Sequence, residues 1–317
     1  MSTILVTGAN GNVGSEVVRG LVAAAAHASG DGAVVSGGGS DGGDRDGGAP
    51  ATRIRAAVSD PTRCPNVPDG VECAQFDFLD PDTFAAALDG VDRVFLMRPP
   101  HMADAEAFRP FLSAMRESGV QQVVFLSLLG VEKNPVVPHH AIEKAIVASG
   151  LGYTMLRPSF FMQNLSTTHL EDIVSRGEII VPAGNGRTSF IDVRDIAAAA
   201  VVVLTEEGHV GRGYSLTGSE ALTYSDCARL LSETSERTVV YTKPSGREFA
   251  AHMATQGHSE DFIKVMRAIY LVAKLRMAGT ITGELRELIG REPITFAQFA
   301  RDNAALFAGT ADEPLDS

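Results

Sequence analysis

The sequence predicts an α/β protein: a doubly wound parallel sheet carrying a smaller C-terminal α/β lobe. Three observations support this. Short β-branched runs alternate with helix-length apolar patterns through the first half. The first of these runs meets the first helix through a glycine-rich turn, TGANGNVG (7–14). The alternation gives way to mainly helical patterns in the C-terminal third.

The elements follow in order. TILVT (3–7) reads as a strand and VGSEVVRGLVAAAAH (13–27) as a helix with apolar residues at helical spacing. RIRAAV (53–58) and VECAQFD (71–77) are the second and third strands, and TFAAALDG (83–90) is a helix closed by Gly90. RVFLM (93–97), the helix AEAFRPFLSAMRESG (105–119) and QVVFLSL (122–128) continue the pattern. AIEKAIVASG (141–150) is the next helix and YTMLRP (153–158) the sixth strand. Such alternation calls for parallel strands joined by right-handed crossovers. DIAAAAVVVLTEEG (195–208) is a helix for which Asp195 is the expected N-cap. TYSDCARLLSE (223–233) opens on a capping-box pattern, Thr223 with Asp226 three residues on. TVVYTK (238–243) and helices near 259–278 and 295–307 complete the smaller lobe.

One stretch breaks the rhythm. Residues 28–51, mostly Gly, Ser, Asp and Ala, stand where a short turn belongs. They hold too little apolar surface to offset ordering entropy, so a flexible surface insertion is expected.

The totals exclude several functions. A net charge of −12 argues against a nucleic-acid partner, whose phosphates require a basic surface. The apolar run IAAAAVVVL (196–204) is too short to cross a bilayer, and no membrane partner is expected. The N-terminus lacks the basic and apolar regions of a signal peptide, which makes the cytoplasm the expected location. Cys64, Cys73 and Cys227 show no paired spacing, so neither a disulfide framework nor a cysteine-rich zinc site is expected.

In the opening turn, Gly8 permits the tight bend, Gly11 lets backbone approach a pyrophosphate, and Gly14 lets the helix pack on the sheet. The helix N-terminus then offers N–H groups and partial positive charge to phosphates. Because the turn follows a strand, opens a helix and heads an alternating series, it predicts dinucleotide binding.

The GxxGxxG spacing resembles the short-chain dehydrogenase/reductase superfamily. DFLDP, LSLLGVEKN, HHAIEKAIVASGLGYTMLRPSFFMQNL and FIDVRDIAAAA together resemble its NmrA-like atypical branch, over residues 3 to about 307 without the insertion. That branch contains NADPH-dependent quinone and dye reductases, and cofactor-sensing regulators that bind a protein partner without turnover. The resemblance implies a Rossmann-type core over 1–158 and, over 159–317, the remaining core elements plus the substrate lobe. It implies that Gly8, Ala9, Asn10, Gly11, Asn12 and Val13 line the pyrophosphate, and that Asp77 and Phe78 lie against adenine. Leu96, Met97 and Arg98 would pass the nicotinamide ribose, and Pro158, Ser159 and Phe160, with Phe161 beside them, the nicotinamide face. For Phe160 and Phe161 a plain core role stands as the alternative. Relatives preferring NADPH often carry Arg after the second strand; Ser59 stands there, with Arg55 and Arg63 as candidate phosphate ligands. NADP is the expected cofactor by family habit, with NAD as the alternative.

Two histidines remain, in NPVVPHHAIEK (134–144). The superfamily's Tyr-x-x-x-Lys pair aligns with Pro135 and His139, so its usual acid is missing. His139 and Glu143 share a helix face, so Glu143 is expected to orient the imidazole. His139 is the expected catalytic or cofactor-contacting residue, His140 an outward bystander, and no third ligand has the spacing for a metal. The reading is an NAD(P)H-dependent oxidoreductase passing hydride directly to a small electron-poor substrate such as a quinone. The alternative is a cofactor-sensing regulator. The sequence sets no oligomeric state.

Overall fold

The computed structural model describes residues 2–28, 52–64, 67–99, 102 and 104–310. Apart from Ala28, the expected insertion lies outside them.

Nine strands form two sheets: β1 (Ser2–Val6), β2 (Thr52–Val58), β3 (Glu72–Gln75), β4 (Arg93–Met97), β5 (Gln122–Leu126), β6 (Gly152–Pro158), β7 (Glu178–Ile179), β8 (Arg212–Leu216) and β9 (Val240–Tyr241), among the described residues. The main parallel sheet has the order β3-β2-β1-β4-β5-β6-β8, and β7 pairs with β9 separately. The helices are α1 (Asn12–Ala28), α2 (Phe84–Leu88), α3 (Arg109–Glu117), α4 (Pro138–Ser149), α5 (Leu170–Arg176) and α6 (Val193–Thr205). They continue with α7 (Tyr224–Ser235), α8 (Gly246–Thr255), α9 (Glu260–Lys274), α10 (Glu284–Ile289), α11 (Phe296–Asp302) and α12 (Ala304–Ala308).

The sheet is the Rossmann-type one expected. Its central strands are apolar on both faces, because parallel sheets are covered by helices on both sides. Val94, Phe95 and Leu96 of β4 are fully buried, as are Val123, Val124 and Phe125 of β5. On one face Phe76, Phe78, Phe84, Phe108 and Phe111 form a continuous aromatic cluster with ring centroids 4.7–5.7 Å apart. Each such buried ring stabilises the fold by about 2–3 kcal/mol.

The chain divides into two compact units, Met1–Arg157 with Ile196–Tyr214, and Pro158–Asp195 with Ser215–Ser317. The second has its own core, in which Phe190, Tyr224, Phe249, Tyr270, Phe296 and Phe299 are buried.

Capping follows the sequence at one helix and departs from it at another. Thr223 and Asp226 form the expected box at α7, Asp226 N donating to Thr223 Oγ1 (3.2 Å) and Thr223 N to Asp226 Oδ2 (2.9 Å). At α6 the expectation for Asp195 fails. The helix starts at Val193, and Asp192 accepts from Arg194 N (2.9 Å). Asp195 instead accepts from Ile294 N (2.6 Å) and pairs with Arg291, while burial raises its carboxyl pKa.

The cysteine expectation is also corrected. Cys64 and Cys73 form a disulfide, with Cα atoms 6.1 Å apart. Cys64 closes the 3-10 turn after β2, and Cys73 sits opposite Ala56 of β2, so parallel pairing brings together residues whose spacing gave no signal.

Candidate functional site

The glycine turn is shaped by backbone crowding. Gly8 has φ +64°, a left-handed conformation that favours glycine, and a Cβ there would lie 2.2 Å from Met97 Cε. A Cβ on Gly14 would lie 2.1 Å from the Gly8 carbonyl oxygen, so α1 packs against the turn only without a side chain. Gly11 is looser: its Cβ would meet Met97 Cε at 3.3 Å and Gly8 O at 3.4 Å. Gly11 N donates to Gly8 O (2.9 Å), closing the bend.

Thr7, unnoticed in the sequence, ties this turn to β4. Its hydroxyl donates to Phe95 O (3.1 Å) and accepts from Met97 N (2.9 Å). The bend therefore lies where the sheet order switches from β1 to β4, beyond the strands' carboxyl ends. Open α/β sheets bind ligands at such a position. The first turn of the 17-residue α1 contains no acid, leaving its N–H groups suited to an anion.

Within the turn, Asn10 and Asn12 are exposed, whereas Ala9 and Val13 point into the core. The last two can offer a ligand only backbone. Phe78 belongs to the aromatic cluster, so its ring cannot stack on a base; Asp77 is exposed and caps its own turn through Leu79 N (2.9 Å). Leu96 is fully buried and Met97 partly so.

Ser59 is exposed at the end of β2. Beside it, Asp60 accepts from Thr62 N (2.9 Å) and Thr62 Oγ1 (2.6 Å). Arg55 is removed as a phosphate ligand. Its guanidinium is held by Glu72 (2.9 Å), Ala87 O (3.0 Å) and Asp89 O (2.8 Å).

At the far side of β4, Arg98 donates from Nη1 to Pro99 O (2.9 Å) and Met102 O (2.8 Å), and from Nε to His139 Nε2 (3.4 Å). Arginine has no acceptor, so the imidazole Nε2 is the bare nitrogen and the proton sits on Nδ1. Among the described residues that buried Nδ1 has no partner. His139 packs on Phe125 with ring centroids 5.9 Å apart. Burial, and then the Arg98 charge, lowers its pKa to about 4, so it is neutral at physiological pH.

Glu143 does not orient this ring. Its carboxylate takes a two-point contact from Arg157, at 3.0 and 2.7 Å, and Glu132 lies 3.8 Å from the same guanidinium. The i, i+4 spacing was correct, but a planar fork on β6 offers a carboxylate more than an imidazole does. His140 is no bystander either: its Nδ1 lies 2.9 Å from Val131 O and pins the preceding loop. Pro138 occupies the first turn of α4, where its fixed φ suits helix entry and its missing N–H is not needed. Ser127, just past β5, was also missed; its hydroxyl is buried without a partner among the described residues.

Pro158, Ser159 and Phe160 belong to the second unit. Pro158 and Ser159 are buried, and the Ser159 hydroxyl lies 3.0 Å from that of Ser189. Phe160 is partly buried against the second core. Among the described residues no three His, Cys, Asp or Glu side chains converge as metal ligands, and no helix is long and apolar enough to cross a membrane.

Comparison with known proteins agrees with the turn. A family described as NAD(P)H-binding matches residues 45–207. NAD(P)H azoreductase of Xenophilus azovorans is 31% identical over 96% of this chain and 99% of its own. An NADPH-dependent quinone oxidoreductase from Escherichia coli, solved with NADPH, superposes with a TM-score of 0.79 at 26% identity, covering 94% of this chain and 99% of that one. Triphenylmethane reductase of Citrobacter sp., solved with NADP(H), gives 0.76 at 26% identity over 95% and 99%. The chain belongs to the NAD(P)H-binding family.

Proposed function

We propose that this member of the NAD(P)H-binding family is an NADPH-dependent oxidoreductase acting on a small, flat, electron-poor substrate such as a quinone. The observation that carries the reading is the Gly8–Gly14 bend, sterically closed to side chains and set at the β1/β4 switch. Relatives of matching length are named as NAD(P)H or NADPH reductases of azo, quinone and triphenylmethane compounds.

When bound, the reduced nicotinamide supplies a hydride. In this proposal the backbone from Gly8 to Val13 holds the pyrophosphate at the N-terminus of α1, with Asn10 and Asn12 as side-chain donors. Ser59 faces the adenosine ribose and Asp77 the base. Met97 and Arg98 flank the nicotinamide ribose. His139, neutral and with its proton on Nδ1, is a hydrogen-bond donor and a poor proton source. Solvent supplies the proton for the product oxyanion. That suits a quinone, whose reduced form is a weak base, better than the reduction of a simple ketone, whose alkoxide product needs an acid that Pro135 cannot supply. The cytoplasm, where NADPH is plentiful, is the proposed location.

Steady-state NADPH oxidation with a panel of quinones tests the proposal. Sustained turnover is expected. Saturable NADPH binding with no turnover on any acceptor would replace this reading with the cofactor-sensing one.

A further inference from the structure

A second feature of the chain has no part in hydride transfer. Large apolar side chains are normally exposed singly. Here seven of the thirteen exposed ones among the described residues lie between Val265 and Ile281, in α9 and the segment after it. Helix α9 buries Ile263, Met266, Tyr270 and Ala273 on its inner face, at the three- and four-residue steps of a helix. The outer face is apolar too: Val265 is 54% exposed, Leu271 50% and Val272 37%, and just past the helix Leu275 is 60% and Met277 68% exposed.

The charges here are equally unusual. In a chain of net charge −12 with five lysines, residues 262–283 contain Lys264, Arg267, Lys274 and Arg276 and no acid. Lys264 has Asp261 3.1 Å away, but Arg267, Lys274 and Arg276 have no ion-pair partner among the described residues. Arg267, Leu271 and Lys274 share one row of the helix. With Lys264, Pro182 and Gly246 they line a cavity of about 380 Å³ that contains no carboxylate.

We propose that the outer face of α9 docks on an anionic lipid surface, its apolar arc entering the headgroup boundary and its cation row meeting lipid phosphates. Exposed apolar residues flanked by arginine and lysine are the combination such a surface retains. A second copy of the chain fits less well, since a two-fold contact through this face sets its four cations against four more. The remaining negative charge of the protein is screened beyond about 8 Å at physiological salt. Although the sequence led us to expect no membrane partner, that expectation rested on the lack of a spanning segment, which surface docking does not require. The proposal is independent of the redox reading.

Co-sedimentation of the full chain with vesicles tests it, using phosphatidylcholine alone and phosphatidylcholine mixed with phosphatidylglycerol. Binding is expected to the mixed vesicles only and to weaken as salt rises. Arg267→Gln with Lys274→Gln should lower the partition about 25-fold, roughly five-fold per cation. Val272→Asp with Leu275→Asp should abolish it, the melting temperature of both variants staying near that of the parent because the altered side chains are exposed. Equal binding to both vesicle types, or none to either, overturns the proposal. So does a salt-insensitive dimer in analytical ultracentrifugation that Val272→Asp with Leu275→Asp dissociates, because the face would then be a contact between copies.

Discussion

The glycine turn after β1 and the mouth of α4 both lie at carboxyl ends of the same sheet, yet they are specified differently. In the turn, the backbone decides. A Cβ on Gly14 would stand 2.1 Å from Gly8 O, and no rotamer can relieve a clash with a carbonyl. At the mouth of α4, long side chains choose among partners. Glu143 joins Arg157 on β6 rather than His139 four residues away, and Arg98 from the end of β4 takes the imidazole instead. Steric exclusion by backbone is local and single-valued, whereas pairing of long polar side chains depends on what the fold brings within reach.

The largest effect should come from breaking the backbone-determined region. Gly14→Val forces α1 off the turn and should cost at least ~4 kcal/mol, the range of a severe steric disruption. Urea unfolding measures it; a loss near zero would mean the turn relaxes freely and the contrast is false. Next is Glu143→Ala, which leaves Arg157 without its two-point partner. A broken, largely buried pair costs about 3 kcal/mol, again read by urea unfolding. A neutral result would show that Glu132 takes over.

His139→Ala sharpens the comparison on the functional side. Losing one hydrogen-bond donor should reduce turnover or NADPH affinity about 10- to 100-fold with little change in stability. Unchanged kinetics would leave His139 as part of the helix start only.

These expectations also differ in how much the sequence showed. The strands, their alternation with helices and the glycine turn were legible because apolar periodicity and glycine sterics act over a few residues. The Thr223 capping box was legible for the same reason. Three features were not: the Cys64–Cys73 disulfide, the Asp195–Arg291 pair and the withdrawal of Arg55 toward Glu72. Each depends on elements brought together only by the sheet or the second core. Phe78, expected by resemblance to lie against adenine, has its ring packed among Phe76, Phe108 and Phe111, which leaves only its backbone to face a base.

A smaller effect follows from titration. His139 and His169 both have pKa values lowered from 6.5 to about 4, mainly by burial. Above 6.5 neither state carries the extra proton, so these groups give stability no pH dependence there. As pH falls from about 6.5 to 4, the unfolded chain takes up protons that the folded chain refuses, and stability declines. His139→Ala should flatten this slope in chemical denaturation across that window. Because the imidazole is already neutral at pH 7, turnover should show no His139 step near 6.5; such a step would mean that the charged form acts.

The most direct test of the central claim is a fluorescence titration of NADPH into the parent chain and Gly11→Val. A Cβ at Gly11 meets only the flexible end of Met97 at 3.3 Å and Gly8 O at 3.4 Å, so the variant should fold. Its side chain would nevertheless occupy the place where a pyrophosphate must approach backbone. The expected result is saturable binding to the parent and an affinity at least ~100-fold weaker in the folded variant, about 2.7 kcal/mol. Equal affinity in the two would contradict the assignment of the glycine turn as the cofactor cradle.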